Sequence, residues 1–372
     1  MTSLGELAAQ PSRRVAGLIS GTSMDGIDVA ICQISGAGPG ATVKLERFAT
    51  VPYEPKLAER LRRAPDLSAR DVAELNGVVG KAFAFAVTFV RVDLWVELVG
   101  SHGQTVYHHS RAPGAEKATL QVGDGDVIAQ RLGIPVVSDF RAGDIAAGGE
   151  GAPLTPYADF VLFGGKPGRA VLNLGGIGNL TILADRLEDV TGFDTGPANA
   201  PLDRISRAEF GESMDRDGEH ARAGDYDRKL LDQLLAEDAF LALAAPKSTG
   251  TEAYGEAFVA MLRARSGSTG ADLLRLAAEY VVESVARQVP PSTGELILAG
   301  GGAANRFLHE RLDQRLASCV IQMTDDYGVP IRAREALAFA ILANDAVCGL
   351  PTSLPRVTGA SGSRRLGKLS LP

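Results

Sequence analysis

A two-lobed α/β fold, with a glycine turn shaped for phosphate in each lobe, is predicted by three segments of the 372-residue chain. The first is 17–32. Apolar residues lead into Ser20, Gly21, Thr22 and Ser23, and an alternating apolar run leaves from Ile27, which reads as strand, tight turn, strand. The second is 170–183, where the same design is built around Gly175, Gly176, Ile177, Gly178 and Asn179. The third is 296–308, where a continuous apolar strand ends in Gly300, Gly301 and Gly302 and a helix follows through Asn305. Glycines let backbone N–H groups come close to phosphate oxygens, and a helix N-terminus adds donors aimed at an anion.

The first turn is the richest of the three. Between Gly21 and Asp28 lie Thr22, Ser23, Met24, Asp25, Gly26 and Ile27. The hydroxyls are donors, and Asp25 and Asp28 can hold Mg²⁺ through water. Taken alone, the Gly-Thr-Ser piece also suits an ordinary polar hairpin. No Lys-Ser/Thr pair follows the glycines, so none of the three is a Walker A loop, and none has dinucleotide-binding spacing.

Length and composition agree with two lobes that each bury a core. Hydrophobic residues make up 45% of the chain, and its length suits two domains. The net charge of −7 argues against nucleic acid or an anionic membrane as partner. Cys32, Cys319 and Cys348 are odd in number and lack CxxC spacing, as expected of free thiols in a reducing cytoplasm. Residues 1–14 lack the apolar core of a signal peptide. The most apolar helical run, 82–99, is interrupted by Arg91 and Asp93 and is not expected to span a membrane.

In chain order, strands are expected over 15–20, 27–34 and 42–51, then helices over 56–63 and 68–90. The second helix carries the apolar stripe Val72, Leu75, Val78 or Val79, Ala82 and Phe83. A strand over 94–99 delivers the loop 100–105; a strand over 119–122, a helix over 126–132 and a strand over 135–138 follow. Segment 138–156, rich in glycine and polar residues, reads as a hinge between lobes. The second lobe continues with strands over 170–183 and 189–193. Helices over 197–209, 227–237, 251–263 and 271–288 come next, then the strand-glycine-helix unit and a closing helix over 333–347. Apart from the two hairpins no repeat is visible. The lobes are expected at 14–140 and 141–365, with flexible termini over 1–13 and 366–372.

Three further loops hold candidate chemistry. Segment 101–105 gathers His102, Gln104 and Thr105 just after a strand, a density of polar groups suited to substrate contact, although a lone histidine also suits a structural hydrogen-bonding role. Segment 138–153 combines Asp139, Arg141, Asp144 and Glu150 with small residues such as Gly149, and Arg141 is suited to a carboxylate or phosphate. In 192–199 a strand is expected to end at Phe193, with Asp194 at the turn and Pro197 opening a helix. Asp194 is the candidate general base, although a turn-capping role fits the same residue.

Two glycine hairpins followed by a strand, three glycines and a helix resemble the two-lobed, ribonuclease H-like ATPase fold of actin, hexokinase and the 70-kilodalton heat-shock proteins. That resemblance implies an interdomain ATP cleft, with Gly21–Asp28, Gly175, Gly176 and Asn179 on the phosphates and Gly300, Gly301, Gly302 and Asn305 bordering the nucleotide. Eight segments then match one family in order: 17–28, 101–105, 139–153, 173–179, 192–199, 246–250, 300–305 and 327–343. The chain resembles the anhydro-N-acetylmuramic acid kinases over roughly residues 15–365. The resemblance implies hydrolytic opening of a 1,6-anhydro sugar and phosphorylation of its O6 with ATP and Mg²⁺, in cell-wall recycling. It assigns the base to Asp194 and the sugar contacts to His102, Gln104, Thr105, Arg141, Gly149, Pro197, Asn199 and Glu335. It also implies a cytoplasmic homodimer, with no nucleic-acid or membrane partner.

The chain departs from the family pattern at Ala198, usually glycine, at Thr251, usually arginine, and over 200–204. These changes leave the ATP and base motifs intact and bear on the lactyl and N-acetyl contacts. A same-fold kinase acting on levoglucosan or another small sugar is the alternative. A nucleotide-gated sugar sensor is a third reading, disfavoured because a pure binder has no use for Asp194 together with Asp25 and Asp28.

Overall fold

Two mixed sheets organise the chain in the computed structural model, which describes residues 4–21, 24–109 and 116–372. The first unit comprises Met1–Gly165, Arg186–Glu188 and Arg332–Pro372, and the second Lys166–Asp185 and Asp189–Ile331.

In the first unit, β1 (Ser12–Ser20), β2 (Gly26–Ser35) and β3 (Thr42–Pro52) form an antiparallel meander. β4 (Leu98–His109) lies parallel to β1, β5 (Ala118–Val122) pairs with its outer half, and β6 (Val136–Ser138) runs parallel to it. The C-terminal strand Lys368–Ser370 closes that edge against β6. Parallel neighbours need a crossover, and the helix Ala69–Arg91 lies on the chain between β3 and β4. Its inward stripe, Leu75, Val79, Phe83, Ala86, Val87 and Val90, is buried in the first core.

The second unit repeats the plan. β7 (Arg169–Leu174), β8 (Ile177–Leu183) and β9 (Thr191–Pro197) meander, and β10 (Glu295–Ala299) and β11 (Val320–Met323) follow in parallel. The strand orders β3-β2-β1-β4-β6 and β9-β8-β7-β10-β11 are the same order. This doubled arrangement is the actin-like, ribonuclease H-like fold. The repeat is a repeat of topology: alternating apolar residues in three strands and two crossovers produce it without sequence identity.

Three elements depart from the expectations. β4 begins at Leu98 and continues through the 101–105 segment, so that segment is strand and not loop. Within it Gly103 takes a left-handed φ of +75°. The helix Arg334–Val347, expected to close the second lobe, packs in the first unit on β1, β2 and β4. Segment 138–156 also stays wholly in the first unit and contains the helix Ala142–Ala146.

Two glycines admit the helix Arg334–Val347 to the sheet. Gly17 and Gly100 face each other in the β1–β4 register. A Cβ on Gly17 would lie 1.8 Å from Ala336 O, and one on Gly100 2.1 Å from Phe339 O. Backbone atoms cannot swing aside as a side-chain tip can. We expect Gly100→Ala to destabilise the fold by about 3 kcal/mol, the upper end for overpacking, whereas Gly40→Ala, with open space around it, changes little. Urea unfolding of the two variants checks this, and equal midpoints would contradict it.

Candidate active site

The first unit brings the β1–β2 turn, β4, the 141–151 segment and the start of the helix Arg334–Val347 into one cluster. Ser20 Oγ lies 2.6 Å from Gln104 Oε1 and 2.9 Å from Gly26 O, tying the turn to β4. Met24 takes a left-handed φ of +53°, and its N–H donates to Gly21 O at 3.2 Å. Thr22 and Ser23, expected to contact phosphate, lie outside the described residues. Ile27 is buried in the core, which leaves it only main-chain groups to offer a ligand. Gly26 is required by packing, since its Cβ would lie 2.8 Å from Val51 O.

The carboxylates of this cluster feel one another. Arg332 Nη2 donates to Thr50 Oγ1 at 3.0 Å, and Thr50 Oγ1 donates to Asp28. Burial raises the Asp28 carboxyl above the usual range, against Thr50 and Arg332, and Asp25 adds to the rise. Glu335 is open to solvent yet densely surrounded. Desolvation raises its carboxyl, the Arg334 guanidinium opposes this, and Asp28 raises it further. Among the described residues, no group of three or more His, Cys, Asp or Glu is arranged to chelate a metal by itself.

His102 is a positioning group. Arg141 Nε donates to its Nε2 at 3.0 Å, so the ring proton sits on Nδ1, 3.1 Å from Gly103 O. The ring also packs 4.6 Å from Phe339. Burial, and then the Arg141 charge, push its pKa well below the ordinary 6.5. Arg141 Nη1 donates to Gly151 O at 2.7 Å. Burial lowers the Arg141 pKa to about 10, with Glu335 and Asp144 opposing, so the guanidinium stays cationic at neutral pH. Buried Asp144 shapes the 147–151 turn. It accepts from Gly151 N at 2.8 Å and from Thr358 Oγ1 at 2.7 Å, and a Cβ on Gly149 would lie 2.1 Å from its Oδ2. Thr105 Oγ1 accepts from Gln121 at 3.3 Å.

A pH dependence follows from His102. Its folded pKa lies below the unfolded value of 6.5, so the unfolded chain binds a proton that the folded chain refuses. The stability held by the neutral ring is complete above that value and is lost as pH falls below it. Between pH about 6.5 and about 5, wild-type stability should fall more steeply than that of His102→Gln, by up to about 1.4 kcal/mol per pH unit. Parallel slopes in urea unfolding would show that the ring titrates freely in the fold.

The second unit holds the other cluster. The carbonyls of the β7–β8 turn receive the start of the helix Asn199–Phe210: Asn199 N donates to Gly175 O at 2.9 Å, and Ala198 N and Ala200 N to Gly176 O at 3.0 and 3.1 Å. Asn199 Nδ2 also donates to Leu174 O at 2.9 Å. A Cβ on Gly176 would lie 2.8 Å from the Thr251 methyl, so Thr251 is one reason the turn needs glycine. Gly300, at φ +77°, and Gly302 are pressed against Asn173, Leu174 and Asn199, whereas Gly301 faces open space. A short 3-10 turn, Gly301–Ala304, precedes the helix Arg306–Arg315, and Asn305 caps that helix by accepting from Leu308 N at 3.2 Å.

Asp194 lies inside β9, opposite Asn179 in β8. The expected turn position is corrected: the strand runs on to buried Pro197, and the helix behind it has Ala198 at its N-cap with no side-chain cap. Each carboxylate oxygen has a donor, Asn179 Nδ2 to Oδ1 at 2.9 Å and Thr249 N to Oδ2 at 2.8 Å. Asp194 N donates to Lys247 O at 3.0 Å. Gly196 takes φ +116° between Asp194 and the helix.

Lys247 and Thr249 had no assigned role in the sequence reading. Lys247 is buried, and its Nζ donates to Phe240 O and Leu241 O, both at 3.1 Å, while lying 4.7 Å from the centre of the Phe240 ring. Desolvation lowers its pKa, against the charges of Asp238 and Asp194. The signal was a lone lysine in Pro246–Gly250, a segment otherwise of small residues.

Comparison with known proteins adds one family match and three relatives. The family model for anhydro-N-acetylmuramic acid kinase matches residues 13–371. An anhydro-N-acetylmuramic acid kinase of Salinibacter ruber is 42% identical over 396 aligned positions, covering 100% of both chains. One of Synechococcus elongatus is 42% identical, covering 95% of this chain and 98% of its own, and one of Bacillus cereus is 36% identical, covering 96% and 99%.

Proposed function

Since the chain belongs to the anhydro-N-acetylmuramic acid kinase family, we propose that this kinase opens the 1,6-anhydro ring of anhydro-N-acetylmuramic acid and phosphorylates O6. The products are N-acetylmuramic acid 6-phosphate and ADP, and the role is peptidoglycan recycling in the cytoplasm by a homodimer. The observation that carries this reading is Asp194, a strand carboxylate with both oxygens oriented by donors.

Asp194 takes a proton from a water that attacks the anomeric carbon. The bond from that carbon to bridging O6 breaks, and its electron pair stays on O6. O6 attacks the γ-phosphorus of ATP, and ADP leaves with the pair of the broken P–O bond. The first step is glycoside chemistry at one carbon and the second is phosphoryl transfer. Asn179 and Thr249 N hold the base in one orientation. Arg141, kept cationic and aimed through neutral His102, faces an anionic group of substrate or nucleotide, with Glu335 as its neighbour on the sugar side. Gly175, Gly176 and Gly300–Asn305 serve the nucleotide through main-chain groups.

Mg²⁺ fits the residues present. Asp25 and Asp28 supply oxygen donors close enough to sense each other, too few for an all-protein cage and suited to a hydrated ion shared with phosphates. Bound there, the ion would neutralise phosphate charge. Turnover should vanish in excess chelator and return with Mg²⁺ or Mn²⁺; undiminished turnover would remove the metal from this reading.

The deciding experiment compares ATP consumption with anhydro-N-acetylmuramic acid, levoglucosan and glucose, with mass analysis of the products. The anhydro amino sugar should be consumed fastest and gain both water and phosphate. Faster turnover of levoglucosan would reassign the substrate, and faster turnover of glucose would overturn the anhydro-ring chemistry.

A further inference from the structure

The two donors on Asp194 stand on unequal supports. Asn179 lies in β8, whose pairing with β9 holds it opposite the carboxylate. Thr249 lies in segment 238–255, which is neither helix nor strand and joins the helices Arg228–Glu237 and Glu256–Ser266. Beside this segment is a cavity of about 310 Å³ whose walls include Asp238, Phe240, Thr249, Tyr254 and Tyr280. A segment with open space beside it is not fixed by close packing, so the direction of the Thr249 N–H needs another cause.

We propose that Lys247 is a positioning residue for the base: its buried ammonium clamps the segment between Phe240 and Thr249 and so keeps the Thr249 N–H on Asp194. The proposal rests on the assignment of Asp194 in the proposed function.

Lys247 binds in two directions. Its carbonyl accepts from Asp194 N at 3.0 Å, and two residues on Thr249 N donates to Asp194 Oδ2 at 2.8 Å. Its side chain, in a residue only 4% exposed, turns back into the same segment, where Nζ donates to Phe240 O and Leu241 O, both at 3.1 Å. Leu241 packs over Gly196 in β9, where an added Cβ would lie 3.2 Å from its Cδ2. The clamp therefore reaches both sides of the carboxylate. Phe240 is anchored in turn. Its N–H donates to Asp238 Oδ1 at 2.9 Å, and Asp238 Oδ2 accepts from Tyr254 at 2.9 Å and from Tyr280 at 2.6 Å. Tyr280 belongs to the buried helix Gly270–Ala286. Contacts thus run unbroken from that helix through Asp238, Phe240 and Lys247 to the base. An ammonium is a costly group to bury. In exchange its bonds to carbonyls are roughly twice as strong as neutral ones, and the Phe240 ring, 4.7 Å away, adds its own attraction. Asp238 and Asp194 also favour the charged form, against the burial that lowers the lysine pKa.

Single-turnover rates with anhydro-N-acetylmuramic acid and saturating ATP test the proposal on the full-length protein. Lys247→Met keeps an unbranched side chain of similar length and removes its donors. The rate should fall by about 10–100-fold, the cost of a misplaced reacting group, while KM for sugar and for ATP stays within about twofold of wild type, as expected when only the transition state is affected. In an Asp194→Asn background the same change should cost less than about twofold, because no base remains to be oriented. Tyr280→Phe, which removes one bond at the far end of the chain of contacts, should lower the rate by about 2–5-fold, again only when Asp194 is present. It decides the matter should Lys247→Met lose its wild-type circular dichroism spectrum, and a wild-type rate for it would then overturn the clamp. A folded Lys247→Met with a rate within about twofold of wild type, beside an inactive Asp194→Asn, would overturn the clamp and leave the base in place. An equal loss with and without the Asp194 carboxylate would make the role of Lys247 merely structural and overturn the proposal. Normal turnover in Asp194→Asn would overturn base and clamp together.

Discussion

Asp194→Asn should fold, bind ATP and lose turnover by about 10²–10⁴-fold, the range for removal of a general base. The geometry explains why folding survives. Asp194 receives one donor on each oxygen, from Asn179 Nδ2 and Thr249 N. An asparagine there keeps one oxygen for the fixed Thr249 N–H and presents its NH₂ to Asn179. Asn179 can turn its own amide over and accept, so both of these contacts are kept and the stability change stays near about 1 kcal/mol or less. The amide cannot take a proton from water, so the chemistry is lost while the contacts persist. Melting temperature, ATP affinity by calorimetry and turnover, measured on one preparation, separate these effects. Turnover within tenfold of wild type in a well-folded variant would exclude Asp194 as the base.

Asp159→Ala should produce the largest stability loss, about 3–5 kcal/mol, because it takes the two-bond carboxylate away from a buried guanidinium. Arg334 and Asp159 have side chains 3% and 0% exposed and meet through two bonds, Nε to Oδ1 at 2.8 Å and Nη2 to Oδ2. The pair joins the helix Thr155–Phe163 to the first residue of the helix Arg334–Val347, beside Glu335. A loss of that size is a large share of the stability of an ordinary domain, about 5–15 kcal/mol. Replacing both partners, Asp159→Leu with Arg334→Met, should recover most of it, since the desolvation penalty disappears with the charges. Urea unfolding of the three proteins checks both parts. A single variant within about 1 kcal/mol of wild type would mean that water reaches Arg334 and relieves it.

Much of the fold was legible in the sequence because it is local. Alternation over 27–34 and 42–51 gave strands, and the stripe of Leu75, Val79 and Phe83 gave a helix, each within a few residues of the observed ends. β11 was missed because Val320–Met323 is four residues long with no turn glycine on either side. In the site, Asp194 stood out by its setting of Gly192, Gly196 and Pro197. Lys247 and Thr249 did not, since what they give Asp194 is mostly main chain: Lys247 O and Thr249 N. A backbone donor leaves no trace in residue type.

The sequence by itself determined the α/β class, the two glycine turns and the third glycine run, because period and turn geometry are properties of short windows. Only the tertiary structure decided that the helix Arg334–Val347 belongs with the first sheet, a choice made by two glycines 83 positions apart in sequence that together open room for its backbone. It alone decided that His102 is a neutral support for Arg141, because burial and a guanidinium set that protonation state. It alone put Asp194 in the middle of a strand, through pairing with Asn179. Each of these depends on which distant atoms come within about 3 Å of a group, the range of a hydrogen bond or a steric clash, and no window of local sequence contains that distance.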